Sequence, residues 1–146
     1  MTNKTTIARI LETGQSVFSV AISVSGHEMI GDEPVVSGGN DLGPSPYDFL
    51  CTALGECTAM TIRWYAEQQK WPLEKVEVRL SHYKDDKLDI FEKTVKLAGN
   101  RLTEDQRSKL IGIAAKCPIQ RTLEGTPRIS TFEHPVGWTV GLSSLD

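Results

Sequence analysis

The sequence predicts an α+β fold, with antiparallel sheets around one long central helix. Three observations carry this. Short runs rich in β-branched residues lie before residue 31 and again between 71 and 99, where apolar and polar residues alternate. Between them, residues 47–69 hold no proline and are apolar around most of a helical circumference. Two further helix starts follow residue 102, so the order is strands, helix, strands, helices, which argues against alternating βαβ units.

Residues 5–11 and 17–25 ("VFSVAISVS") read as a hairpin with "ETGQ" as its turn, and a third short strand is expected around His27 to Ile30. The glycines and prolines of "DEPVVSGGNDLGPSP" make a long connection, of a kind that often borders a site. Ser45 and Pro46 fit the N-cap and first position of the long helix, with Asp48 completing a capping-box-like arrangement, and the helix should run to about Gln69. "WPLEKVEVRLSHY" and "LDIFEKTVKLAG" follow as strands joined by "KDDK". Thr103 to Gln106 form a second capping box, opening a helix with Leu110, Ile113 and Ala114 on one face. That helix should stop near Lys116, because Pro118 disfavours helix at the residue before it. "PIQRTLEG" fits a short helix from Pro118 to a stop at Gly125, and "TPRISTFEH" reads as a last strand.

The 146 residues are of single-domain length, so one domain spanning 1–146 is expected. A net charge of -3 argues against nucleic acid as a partner. No segment has the apolar length of a membrane span or signal peptide, so the protein is expected in the cytoplasm, away from membranes. His27, His82 and His134 lack metal-ligand spacing, and no P-loop, GxGxxG or nucleophile elbow occurs, so neither a metal nor another cofactor is expected.

Three cysteines, Cys51, Cys57 and Cys117, are too few and scattered for a secreted disulfide framework, and any disulfide among them would be transient and catalytic. On a helical wheel Phe49, Leu50, Ala53, Leu54, Met60, Trp64 and Tyr65 form a broad stripe with Cys57 near its middle. From position alone Cys57 is a packed small hydrophobe. A reactive thiol needs a nearby cation or a helix N-terminus; Cys57 lies about three turns inside its helix, and no Lys or Arg occurs from Ile10 through Ile62, so an activating cation must come from elsewhere in the fold or from a second chain. Cys51 stands about 120° from Cys57 around the helix and reads as packing. Cys117, just before a helix-starting proline, fits either a partly buried junction cysteine or a thiolate at the N-cap, with Arg121 one turn on.

The run "GGNDLGPSPYDFLCTALGECTAMTIRWYA", followed sixty residues after Cys57 by "AAKCPIQRTL", resembles the OsmC/Ohr family of thiol peroxidases. The first motif is closest to an OsmC-like branch with a G-P-S-P-Y-[DE]-x-L start and a cysteine eleven residues after the second proline. The resemblance implies an intertwined homodimer with active sites at the subunit interface. It implies a peroxidase in which Cys57 attacks an organic hydroperoxide, becomes a sulfenic acid, and is resolved by Cys117 as a disulfide that a dithiol reductant, lipoyl or other, reduces. In the peroxidase branches a glutamate ten residues before the first cysteine orients an arginine from the N-terminal sheet region. Here Tyr47 has that place and the arginine is missing too, since residues 10–62 hold no Lys or Arg, so activating or substrate-orienting roles pass to Tyr47, Arg121, His27 and Glu33, with Arg63 a further cation. The alternative is a module of the same fold that binds a small hydrophobic or electrophilic ligand at the dimer interface without turnover.

Overall fold

The structure, a computed structural model, describes residues 4–134, which divide between two compact units: residues 4–48 with 129–134, and Phe49–Arg128.

The first unit holds a three-stranded antiparallel sheet of β1 (Ala8–Glu12), β2 (Val20–Val24) and β3 (His27–Gly31), in that spatial order. Ser25 and Gly26 close the β2–β3 hairpin at φ 51° and 80°, the two-residue turn whose twist matches the flanking strands. The β1–β2 connection is longer than the expected "ETGQ" turn. Glu12 pairs with Val20, so Thr13 to Ser19 lie outside the ladder. The Thr13 N–H donates to the Ser19 carbonyl at 3.0 Å, and hydroxyls take up others: the Ser16 Oγ accepts the N–H groups of Phe18 and Ser19 at 3.3 and 3.0 Å, and the Thr13 and Ser19 hydroxyls bond to each other.

The Ser16 hydroxyl in turn donates to the carboxylate of Asp32, 2.9 and 3.0 Å from its two oxygens. Asp32 is buried and also accepts the N–H groups of Glu33, Asn40 and Leu42 at 2.8, 3.1 and 3.3 Å, gathering the long connection around one carboxylate. The loop closes tightly enough that a Cβ on Gly39 would stand 2.0 Å from the Glu33 carbonyl oxygen. Burial pushes the Asp32 carboxyl up, but the hydrogen bonds from Glu33, Ser16, Asn40 and Leu42 outweigh it and hold the group below the usual aspartate value. A depressed folded pKa means that the unfolded chain binds the proton more readily. The stabilisation is therefore complete above the ordinary aspartate pKa and is lost as pH falls through the lower folded value. Acidification below about pH 4 should shift the amide resonances of Glu33, Asn40 and Leu42 together. Asp32→Asn should remove that transition, and resonances that titrate independently would refute the shared anchor.

The second unit is built on α1 (Pro46–Gln69), β4 (Lys75–Asp85), β5 (Leu88–Ala98), α2 (Glu104–Ala114) and α3 (Pro118–Glu124). The α1 bounds agree with the sequence reading. Its start is fixed by a reciprocal box in which Ser45 N–H donates to Asp48 Oδ2 at 2.9 Å and Asp48 N–H to Ser45 Oγ at 3.3 Å. β4 and β5 pair antiparallel, and Asp85 faces Leu88, so the turn is Asp86–Lys87 rather than all of "KDDK". Thr103 and Gln106 make the expected capping box of α2.

The core of this unit gathers Ile62 and Ala66 of α1 with Leu73, Leu102, Leu110 and Ala114, and Val76, Val95 and Leu97 of the hairpin pack on it. The buried line of α1 is Leu54, Thr58, Ile62 and Ala66, not the stripe centred on Cys57; Met60 and Trp64 are 61% and 62% exposed. A threonine can take that line because its hydroxyl is satisfied, donating to the Leu54 carbonyl at 2.7 Å. Gly55 brings α1 close to β4, for a Cβ there would stand 3.0 Å from Leu80 Cδ2.

Residues 126–134, expected as a strand, pair with no other strand among the described residues, and Ile129 and Phe132 are 84% and 87% exposed. The tail from Pro135 lies outside the described residues. The α+β class with antiparallel sheets and one long helix stands as the sequence predicts.

Candidate active site

Pro118 builds the site locally. It has no N–H and pushes its predecessor out of helical geometry, so α2 ends at Ala114 and Cys117 adopts φ -65° and ψ 145° as the N-cap of α3. In this conformation the Cys117 sulfur accepts the N–H of Gln120 at 3.4 Å. The thiol is completely buried against α1, where the Thr58 hydroxyl lies 3.4 Å from the sulfur and the Cys57 thiol is a further hydrogen-bonding neighbour. Cys57 is only partly buried. Consecutive residues of α1 thus meet one sulfur from the α2–α3 junction.

A cation completes the cluster. Lys93 extends from β5, and its ammonium donates to Thr58 Oγ1 at 3.1 Å, the Ala114 carbonyl at 2.7 Å and Gln120 Oε1 at 2.6 Å. The Ala114 carbonyl is in the last turn of α2, where helix carbonyls lack intrahelical partners. Gln120 passes the network on by donating to Glu124 Oε1 at 2.7 Å. Burial pushes the Cys117 thiol up, but the Thr58 hydroxyl, the Gln120 N–H, the Lys93 charge and the Cys57 thiol outweigh it and hold Cys117 below the usual thiol value. Chemically, the cluster is a stabilised sulfur beside a second thiol that solvent can reach.

The structure brings Cys57 and Cys117 together. Arg121 lies exposed on α3. Arg63 is occupied elsewhere, donating to the Leu73 and Glu74 carbonyls at 2.8 and 3.1 Å and to Glu67. Tyr47 is in the first turn of α1 at 44% exposure, His27 opens β3 at the surface, and the half-buried Glu33 accepts the Asp41 N–H on its carbonyl; all three belong to the first unit. The first unit also carries Arg9, half-buried in β1 and just outside the cation-free stretch that the sequence reading weighed.

Lys93, Thr58 and Gln120 escaped that reading. Lys93 had a visible signal: in "FEKTVKL" it alternates with Phe91, Val95 and Leu97, so a lysine stands on the apolar side of the strand, opposite Leu80. No group of three or more His, Cys, Asp or Glu that could hold a metal ion occurs among the described residues. No helix among them is long and apolar enough to cross a membrane.

A sequence model of the family described as OsmC-like protein matches residues 38–132. No curated protein matches the chain. Among solved structures, an OsmC like protein from Mycoplasma pneumoniae is similar at a TM-score of 0.70 and 16% identity, over 85% of this chain and 90% of that one. An organic hydroperoxide resistance protein OsmC from Legionella pneumophila is similar at 0.64 and 21%, over 86% and 93% of the two chains. The organic hydroperoxide resistance protein OhrB of Bacillus subtilis is similar at 0.59 and 17%, over 85% and 93%. At these identities the likeness is one of fold.

Proposed function

Because the chain belongs to the OsmC-like protein family, we propose that it is a cysteine-based peroxidase reducing organic hydroperoxides through Cys57 and Cys117. The observation that carries the proposal is the meeting of two thiols beside a lysine ammonium. Fold relatives named as organic hydroperoxide resistance proteins support the substrate class.

Cys57 is the more accessible sulfur and takes the attacking role. Its sulfur bonds to the outer peroxide oxygen, the O–O bond breaks, and an alcohol leaves. Cys117 then displaces the oxygen of the sulfenic acid as water, and the disulfide is returned to two thiols by a dithiol such as a lipoyl group. No resident cofactor takes part. The protein acts as a homodimer; the exposure of Leu50, Met60 and Trp64 along α1 in the single chain supports a second copy over that helix. Roles in activating the thiol or orienting substrate are proposed for Tyr47, Arg121, His27 and Glu33.

One observation favours a second reading, a binding module for a small hydrophobic or electrophilic ligand. The thiol held below its usual pKa by the Thr58 hydroxyl, the Gln120 N–H and Lys93 is Cys117, which is fully buried from a ligand in solution. Mass spectrometry of the reduced protein after exposure to cumene hydroperoxide, with peroxide consumption followed in parallel, decides between them. A Cys57–Cys117 disulfide formed in proportion to peroxide consumed is the expected result. Cys57 still a free thiol under excess peroxide sinks the peroxidase and leaves the binding module.

A further inference from the structure

We propose that Lys93 is the positioning residue of the resolving step: by tying both sides of the α2–α3 junction to β5 and α1, it holds Cys117 where it can close on an oxidised Cys57. This rests on the two-thiol chemistry proposed above and adds to it a residue that serves the second step of that chemistry.

The junction has few other supports. α3 is seven residues long, below the roughly 12 at which an isolated helix is even marginal in water, and it contributes no buried residue. Residues 121–134 beyond its midpoint are exposed. On the other side α2 is anchored by the buried Leu110 and Ala114, but its helical geometry ends there, and Cys117 is extended backbone. The resolving sulfur therefore sits on a short non-helical link between an anchored helix and an unanchored one.

One ammonium spans that link. Ala114 and Gln120 stand three residues before and three after Cys117. Lys93 Nζ donates to the Ala114 carbonyl at 2.7 Å and to Gln120 Oε1 at 2.6 Å, the short distances of charge-assisted bonds. Its third proton goes to Thr58 Oγ1 at 3.1 Å, which fastens the same point to α1 beside Cys57. All three ties are to oxygen, so Lys93 acts on Cys117 through its neighbours. Lys93 is itself held in the β4–β5 ladder, paired with Leu80. Gln120 is fixed at its other end by donating to Glu124 Oε1, and its backbone N–H meets the Cys117 sulfur at 3.4 Å. The residue that Lys93 grips on α3 is thus the one whose main chain touches the sulfur.

The geometry separates the two steps. Attack on the peroxide is bimolecular and uses Cys57, whose backbone is fixed inside α1 with or without Lys93. Resolution is intramolecular: an S–S bond of about 2 Å forms at a restricted dihedral while the S–O bond of the sulfenic acid breaks. The oxygen leaves as water, carrying its own proton and that of Cys117. The peroxide has by then taken its two electrons, so the second step needs no further oxidant. Its rate follows the fraction of time that the Cys117 sulfur spends aligned with the S–O bond, which a loosened junction lowers.

The test uses the full chain carrying Cys51→Ser and one equivalent per chain of dithiobis(nitrobenzoic acid), an aromatic disulfide with a coloured leaving thiolate. Cys57 displaces one aryl thiolate to leave a mixed disulfide, and Cys117 then displaces the second to give the Cys57–Cys117 disulfide. The second phase is first-order and independent of reagent concentration. Lys93→Met keeps the length of the side chain and removes all three donors, and should slow the second phase about tenfold relative to the first, with Lys93→Arg recovering most of the loss. The slowing should persist at about pH 9.5, above the ordinary thiol pKa of about 8.5, because it comes from position. A slowing that disappears there reduces Lys93 to its charge and overturns the proposal. So does an unchanged second phase in a natively folded Lys93→Met variant, or a fall of both phases by the same factor. If Lys93→Met fails to fold, Gln120→Ala, which removes one tie and no charge, decides on the same ratio. No second phase with Lys93 in place would mean that the sulfurs do not pair. No arm uses peroxide, so a chain that pairs its thiols through Lys93 yet consumes no hydroperoxide fails the peroxidase reading alone.

Discussion

Leu110→Ala should destabilise the chain by about 3–5 kcal/mol, near the upper end of large-to-small core substitutions. Leu110 is completely buried in a cluster with Ile62, Ala66, Leu73, Leu102 and Ala114. Two of these neighbours are alanines, which have no rotamers with which to fill the space left behind. The remaining walls come from α1 and from the segments at either end of the β4–β5 hairpin, whose positions are tied by Arg63 and Arg107 to backbone carbonyls. Such a site collapses little, so the cavity term adds nearly in full to the lost transfer energy. Urea unfolding followed by circular dichroism should show a lower midpoint with an unchanged slope. A loss below about 1 kcal/mol would mean that the cluster is not the core that holds this unit.

Cys57→Ser should reduce hydroperoxide consumption to the uncatalysed background while leaving the fold intact. A serine hydroxyl is a far weaker nucleophile at neutral pH and forms no stable oxygen-bonded product equivalent to a sulfenic acid. Cys117→Ser should differ in kind: after one turnover Cys57 has no resolving partner, and its sulfenic acid should be trapped by dimedone in place of the disulfide. Cys51→Ser should match the unmodified protein, since Cys51 lies about 120° around α1 from Cys57. Steady-state peroxide consumption and intact-mass spectra of the three variants read these outcomes directly. Full activity in Cys57→Ser would remove the nucleophile from the proposed mechanism.

Where a feature rests on neighbouring residues, it was legible in the sequence. The start of α1 comes from Ser45 and Asp48, three residues apart, and the Cys117 junction from the proline beside it. The capping box of α2 likewise needs only Thr103 and Gln106. Features that depend on distant partners were not legible. The β1–β2 loop extends to Ser19 because Asp32, sixteen residues beyond Ser16, binds the Ser16 hydroxyl. Thr58 is a buried position of α1 because it meets Lys93 and Cys117 from other elements, and a wheel drawn on apolar residues passes it over. Lys93 is the instructive case. Its alternation with Phe91 and Val95 marked it, but a lysine in a strand is usually assigned to the solvent face, and its partners are 21 to 35 residues away in sequence.

The ammonium of Lys93 also bears on how the oxidised protein is recycled. The Thr58 hydroxyl, the Gln120 N–H and the Lys93 charge favour the anionic form of the Cys117 sulfur, an interaction that a disulfide cannot keep. Oxidation would leave Lys93 facing a neutral sulfur with its three neutral acceptors unchanged. Whatever stabilises the thiolate therefore counts against the disulfide and moves the couple toward the oxidising end of the scale. A cation that prepares the site for peroxide thus also makes its disulfide easier to reduce, so the redox poise favours turnover over a stored cross-link.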